Sequence, residues 1–326
     1  MYVRKCNQSR PSRLENKVTV EQHQRLLTFQ LFLAPQDMAE KADKVRVTLT
    51  GVTETLLIPL VGRAMDATTQ SPILGDRYAE DVMEKLDYDF GKLPMPPTHA
   101  AAVALRTRFY DRWTAGFLAT HPHATVLHLA CGLDSRNQRV DWGDDVSWID
   151  VDLPEVIALR RQVLPDSLPG RGYRLIEADI TQDTWIDSIP TDADRPVLVV
   201  MEGLLSYLQP EEGKRLLERL VRRFKEGELH FDCMSSKTLS ASRQHADKTA
   251  VSQTGSVFKW GIDDLKDIEE IHPHLKLLEA IRYLEAPGVE EFPFFSRAAF
   301  YLMSWVPSLR DSVRFVRFGF SDETRT

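Results

Sequence analysis

The run PVLVVM, Pro196–Met201, constrains the fold more than any other stretch, because it is apolar at nearly every position. A strand apolar on both faces belongs in a sheet covered on both sides, and such sheets are mostly parallel. Four more β-rich runs surround it: TVLHLA (Thr125–Ala130), VSWIDV (Val146–Val151), YRLIEA (Tyr173–Ala178) and ELHFDCM (Glu228–Met234). Helical segments such as LPEVIALRRQVL and PEEGKRLLERLVRRF lie between them, as parallel neighbours require. The second of these opens with Pro210, Glu211 and Glu212, which suit a helix start. Its Leu216, Leu217, Leu220 and Val221 then recur at three- and four-residue steps, so one face packs on the sheet. The alternation predicts an α/β fold on a mostly parallel sheet.

Beyond the fifth strand, LKLLEAIRYLE, PFFSRAAFYLMSWV and VRFVRFGF read as strand, helix and strand, giving seven strands in all. The polar run SSKTLSASRQHADKTAVSQTGSVFKWG, around 235–262, reads as an exposed insertion or lid. The segment before the sheet reads as mostly helical, with an amphipathic piece GVTETLLIPLVGRAMD and a proline-rich break GKLPMPPTH. The expected organisation is a helical N-terminal cap region, 1–120, contributing to a ligand site, and a sheet domain, 121–326.

With 326 residues, 43% hydrophobic and 27% charged, the chain can bury a large core. Its net charge of -7 argues against a general nucleic-acid surface, which would show basic excess. No apolar run is long enough to span a bilayer, and MYVRKCNQSRPSRLENK lacks the apolar centre of a secretory signal. Cys6, Cys131 and Cys233 are far apart and have no metal-binding spacing, so a reducing cytoplasm and no metal are expected. Cys131 and Cys233 lie in strand contexts and read as buried thiols.

Ligands of open α/β sheets sit outside the carboxyl ends of the strands. The loops there carry acids in succession: Asp134 after the first strand, Asp150 and Asp152 at the second, Asp179 after the third, Glu202 after the fourth. A dinucleotide turn needs three glycines to approach a pyrophosphate, whereas ACGLDSR has Gly132 alone. The carboxylates would also repel a phosphate. A nucleoside-like ligand with hydroxyl and amine donors and no phosphate fits better, and S-adenosylmethionine has a ribose diol, an adenine amine, an ammonium and a sulfonium. Asp150 and Asp152 share a face by the period of two, about twenty residues after the turn, where a ribose-binding acid is expected. Asp152 also reads as a possible cap for the helix that follows.

The segments LHLACGLDSR, WIDVDLPEVIALRRQVLP, YRLIEADITQDTWI and RPVLVVMEGLLSYLQPEEGKRLLERL resemble the leucine carboxyl methyltransferase superfamily, and most closely its tetracenomycin-type polyketide O-methyltransferase branch. LTGVTETLLIPLVGRAMD, SPILGDRYAE and ALRTRFYDRW match that branch too, so the resemblance runs from about Val47 to Met234. It implies a class I methyltransferase, with a Rossmann-like seven-stranded sheet, a helical N-terminal addition, a lid and S-adenosylmethionine as cofactor. It further implies that Arg106 pairs with the cofactor carboxylate and that Ala130, Cys131 and Gly132 line the methionine part. Asp152, with Leu153 beside it, would take the ribose, supported by Asp150. Asp179 and Ile180 would border the adenine, and Glu202, next to Gly203, the methionine ammonium. The family turn more often reads Gly-x-Gly, and Ala130 stands here in place of its first glycine.

The implied function is O-methylation of a carboxylate or phenolic hydroxyl on a small, polyketide-like acceptor, largely by alignment of donor and acceptor. A carboxylate is already ionised at neutral pH, whereas a phenol benefits from a base. His230, Asp232, Tyr207 and His99 are candidates, none of them assigned. Phe258, Trp260, Phe292, Phe294 and Phe295 are candidate walls for a flat acceptor, although core packing is the commoner fate of such residues. The alternatives are methylation of a protein C-terminal carboxylate and a non-catalytic cofactor-binding protein. A nicotinamide-dependent oxidoreductase is disfavoured by the missing glycines, and a serine esterase by the absence of G-x-S-x-G.

Overall fold

The computed structural model describes residues 44–164, 172–190, 192, 195–244, 250–292 and 294–322; Cys6 and the side chains of Phe294 and Phe295 lie outside that description. A short parallel ribbon, β1 (Val45–Arg46) with β2 (Leu86–Asp87), precedes the main sheet. The β-rich runs then become β3 (Thr125–Leu129), β4 (Ser147–Asp152), β5 (Tyr173–Glu177), β6 (Val197–Met201) and β7 (Glu226–Met234), followed by β8 (Leu275–Arg282) and β9 (Val313–Ser321). The seven main strands lie in the order β5-β4-β3-β6-β7-β9-β8. Only β9 runs against its neighbours. This is the α/β architecture of a class I methyltransferase.

The helices that position the site are α1 (Leu57–Ala67), α2 (Arg77–Lys85), α3 (Pro97–Thr120), the single turn α4 (Arg136–Arg139), α5 (Pro154–Val163) and α6 (Pro210–Arg223). Glu211 and Glu212 occupy the first turn of α6 and Arg222 and Arg223 its last, each sign facing the helix end that it stabilises. Leu216, Leu217, Leu220 and Val221 pack on one face of the sheet with Leu127, Leu129, Val199 and Phe231. The other face packs on α3 through Val126, Trp148, Leu198, Val200 and Phe315.

The two faces differ in chemistry. Residues alternate along a strand with period two. His128, Asp150, His230 and Asp232 therefore share the α3 side with Val126, Trp148 and Leu198, and the opposite side is apolar at Leu127, Leu129, Ile149, Val151, Val199, Leu229 and Phe231. A polar layer thus lies under α3, at the carboxyl end of the sheet.

The polar insertion forms α7 (Ser236–Gln244) and α8 (Ala250–Gln253). Its end does not stay outside. The Lys259 and Ile262 amides donate to Ser206 O at 2.7 Å and Met234 O at 2.8 Å, and Trp260 and Ile262 join the core. A β-carbon on Gly213 would come within 2.0 Å of the Trp260 ring, which explains a glycine in the first turn of α6. Trp260 and Phe292 are core residues rather than walls of an acceptor pocket, whereas Phe258 is partly exposed, its ring 4.9 Å from that of Tyr207.

Candidate functional site

The turn after β3 is a left-handed pair. Ala130 has φ of 51° and Gly132 of 50°, and Ala130 is the only non-glycine among the described residues with a positive φ. An L-residue with a β-carbon is strained there, so the chain keeps a conformation that a glycine would adopt more readily. Two acids and an arginine hold it. Asp152 accepts the Gly132 amide at 2.7 Å and the Leu153 amide at 2.8 Å. Arg160 donates to Gly132 O at 3.0 Å and Asp134 O at 2.7 Å, and its other nitrogen donates to Asp150 at 2.6 Å.

Asp150 differs from its expected place. It is fully buried and also accepts from Trp148 Nε1 and the Tyr173 hydroxyl, both at 2.8 Å. Its two oxygens are taken up by Arg160, Trp148 and Tyr173, so it supports the turn from behind through Arg160. Cys131 is likewise buried, and burial pushes its thiol well up.

Arg106 and Glu202 come together although they are far apart in sequence. Arg106 Nε donates to Glu202 at 2.9 Å, Thr107 Oγ1 donates to the same oxygen at 2.9 Å, and Arg106 Nη1 stands 3.7 Å from Asp232. Gly203, with φ of 69°, donates its amide to Asp232 at 2.6 Å and lies against the Arg106 guanidinium. At the next strand end, Asp179 turns onto its own loop, accepting from Thr181 and Gln182, while Ile180 is buried in the core.

The sequence reading missed the arginines beneath the turn. Arg136 is fully buried between Glu202 (2.5 Å), Asp111 (2.8 Å), His128 (3.1 Å) and Asp134 (3.2 Å). Arg139 pairs with Asp76, Asp111 and Asp134. Arg63 joins Asp76 at 3.0 Å and Leu133 O at 2.9 Å, and Ser135 donates to Asp76 at 2.8 Å. Asp66 gathers the Ile73, Leu74 and Gly75 amides ahead of α2. GRAMD, SPILGD and GLDSR, separate in sequence, are thus one fastening for the Gly132 turn. The legible signal was the alternation of charge with apolar residues in LHLA, WIDVD and LHFDC, which marks a polar sheet face.

Burial pushes Asp134, Asp152, Glu202 and Asp232 up, and the local cations decide the outcome. For Asp134, Arg136 and Arg139 overcome burial and hold the carboxyl well below its ordinary range; for Glu202, Arg106 and Arg136 overcome burial and lower it. Asp152 and Asp232 stay raised, because burial outweighs the Gly132 and Leu153 amides on the first and Arg106 on the second. These two acids have less positive charge around them than their neighbours.

Two of the four candidate bases, His230 and Asp232, are engaged by other groups. His230 is fully buried, 2.7 Å from Glu228, and burial keeps its imidazole below the ordinary value. Burial pushes Tyr207 up to about 12. His99 is exposed in the first turn of α3, and Asp232 is engaged by Gly203 and Arg106.

A family profile described as leucine carboxyl methyltransferase matches residues 57–221, the span that holds α1, the Gly132 turn, Glu202 and α6. The chain belongs to that family. It is 39% identical over 274 residues to the tetracenomycin polyketide synthesis O-methyltransferase TcmP of Streptomyces glaucescens, covering 84% of this chain and 98% of that protein. It is also 39% identical over 251 residues to the S-adenosyl-L-methionine-dependent methyltransferase dpfgK of Gibberella zeae, covering 73% of this chain and 84% of that protein. A DUF574 family protein from Streptomyces avermitilis shares the fold with a TM-score of 0.52 at 12% identity, covering 80% of this chain and 97% of that one. The protein is a methyltransferase, and no described helix is long and apolar enough to cross a membrane.

Proposed function

We propose that the protein uses S-adenosylmethionine to methylate an oxygen, and that this oxygen belongs to a carboxylate of a small, polyketide-like acceptor. The observation that carries the reading is the charge at the carboxyl end of the sheet. Arg106 keeps Nη donors at a partly exposed position, and Asp152 and Asp232 are carboxylates short of positive charge. A ligand with a carboxylate at one end, a cationic centre and a ribose diol complements that set, whereas a pyrophosphate does not.

Arg106 would hold the amino-acid carboxylate, Glu202 the ammonium and Asp152 the ribose, with Ala130 to Gly132, Leu153, Gly203, Asp179 and Ile180 around them. Asp150 would support the turn through Arg160. Bound S-adenosylmethionine supplies a methyl group on a sulfonium. The chain's own work is to align an acceptor with it and to shield both from water.

His230 and Asp232 are engaged by Glu228, Gly203 and Arg106, and the Tyr207 hydroxyl is pushed up to about 12, which favours an acceptor that has no proton to lose. The name of TcmP supports a polyketide as acceptor, and the family description supports a carboxyl group. The test uses 1-hydroxy-2-naphthoate, which carries both oxygen groups, and methyl-labelled cofactor. A label released as methanol in mild alkali is the expected result, because an ester hydrolyses and an aryl ether does not. An alkali-stable label would assign the hydroxyl instead. Labelling of a peptide C-terminal carboxylate, with none on the naphthoate, would assign a protein acceptor.

A further inference from the structure

Two tyrosine hydroxyls near Arg106 have no role in the account so far. The Tyr110 and Tyr283 hydroxyl oxygens are buried and have no hydrogen-bond partner among the described residues. Buried hydroxyls are nearly always partnered, as those of Tyr173 and Tyr88 are here, with Asp150 and Glu54.

Their surroundings place them together. Tyr110 follows Arg106 by one turn on α3, so both side chains lie on one helix face. Tyr283 follows the last residue of β8, and β8 runs parallel to β7, so it emerges at the carboxyl edge of the sheet, across β9 from the end of β7. The ring of Phe315 links the two, 5.9 Å from Tyr110 and 5.7 Å from Tyr283, and Phe315 is paired across β7 and β9 with Asp232. Asp232 in turn stands 3.7 Å from Arg106. Arg106, Asp232, Phe315 and the two tyrosines form one cluster.

We propose that the Tyr110 and Tyr283 hydroxyls are the hydrogen-bond donors that hold the carboxylate of the methyl acceptor beside Arg106. This rests on the carboxylate-methylating reading above. Both groups remain donors across the physiological range. Burial pushes both hydroxyls up; Asp232 and Glu202 push Tyr110 further, and Arg106 opposes on both without reversing the shift. Two neutral O–H donors suit an anion that must keep one oxygen reactive, because they orient it without neutralising it as a second guanidinium would.

The test measures binding of 2-naphthoate and of 2-naphthylmethanol to protein saturated with S-adenosylhomocysteine, for the parent, Tyr110→Phe and Tyr283→Phe. The parent should prefer the naphthoate. Each substitution should weaken naphthoate binding about tenfold, the loss of one hydrogen bond to a charged group. Affinity for the alcohol and for S-adenosylhomocysteine should stay within about twofold, and melting temperature should not fall. Unchanged naphthoate binding in both variants overturns the proposal, as does absence of naphthoate binding to the loaded parent. A melting temperature that falls while naphthoate affinity holds would show a purely structural role. Failure of the parent to bind S-adenosylhomocysteine would instead overturn the cofactor reading.

Discussion

Replacing Arg136 with methionine tests whether the buried ion network is what shapes the site. The side chain is fully buried and faces Glu202 at 2.5 Å, Asp111 at 2.8 Å, His128 at 3.1 Å and Asp134 at 3.2 Å. Methionine fills similar length but takes one counter-charge away from Glu202, Asp111 and Asp134. Removing one partner of a buried pair typically destabilises by about 3–5 kcal/mol. Glu202 keeps Arg106, and Asp134 and Asp111 keep Arg139, so the lower end, about 3 kcal/mol, is expected. At about 2–4 °C per kcal/mol for a domain of a few hundred residues, the melting temperature should fall by about 6–12 °C. Glu202 would also lose its position, so S-adenosylhomocysteine affinity should drop about tenfold. Adding Glu202→Gln should recover part of the lost stability, because the two groups are coupled. Thermal melts followed by circular dichroism check the first and third points, and calorimetry the second. A melting temperature within about 2 °C of the parent would refute the reasoning.

Ala130→Gly should raise the melting temperature by about 1–3 °C, since a left-handed alanine costs more than the flexibility that glycine adds to the unfolded chain; a lower value would mean the positive φ is not strained. Asp152→Ala should weaken S-adenosylhomocysteine binding by about 1.5–3 kcal/mol and also lower the melting temperature, because the Gly132 and Leu153 amides lose their acceptor; unchanged stability would contradict its fastening role. Asp134 and Glu202 have lowered carboxyl pKa values in the folded chain, so their contribution is complete above the ordinary carboxylate range near 4 and disappears as pH falls through the lowered values. Melting temperature should therefore fall on acidification below about pH 5, less steeply for Glu202→Gln, and equal slopes would remove Glu202 from that account.

The strands were legible because their signal is local: PVLVVM and its neighbours state their period in five or six residues. The acids at the strand ends were legible for the same reason, since topology alone fixes which end binds. The arginine network was not. Arg63, Arg136 and Arg139 each look like ordinary helix charges, and only the fold shows that they meet Asp76, Asp111 and Asp134 from three segments. Asp150 and Asp152 share one face as the period of two requires, yet burial two residues deeper gives them different work. Trp260 sits in a polar segment, and only its contact with Gly213 reveals that the segment returns to the core.

The central claim is that Arg106, Glu202 and Asp152 frame an S-adenosylmethionine site, and titration calorimetry with S-adenosylhomocysteine tests it most directly. The account predicts one site per chain with a dissociation constant in the micromolar range, about −7 to −9 kcal/mol. Folded protein that gives no heat with either S-adenosylhomocysteine or S-adenosylmethionine would contradict it.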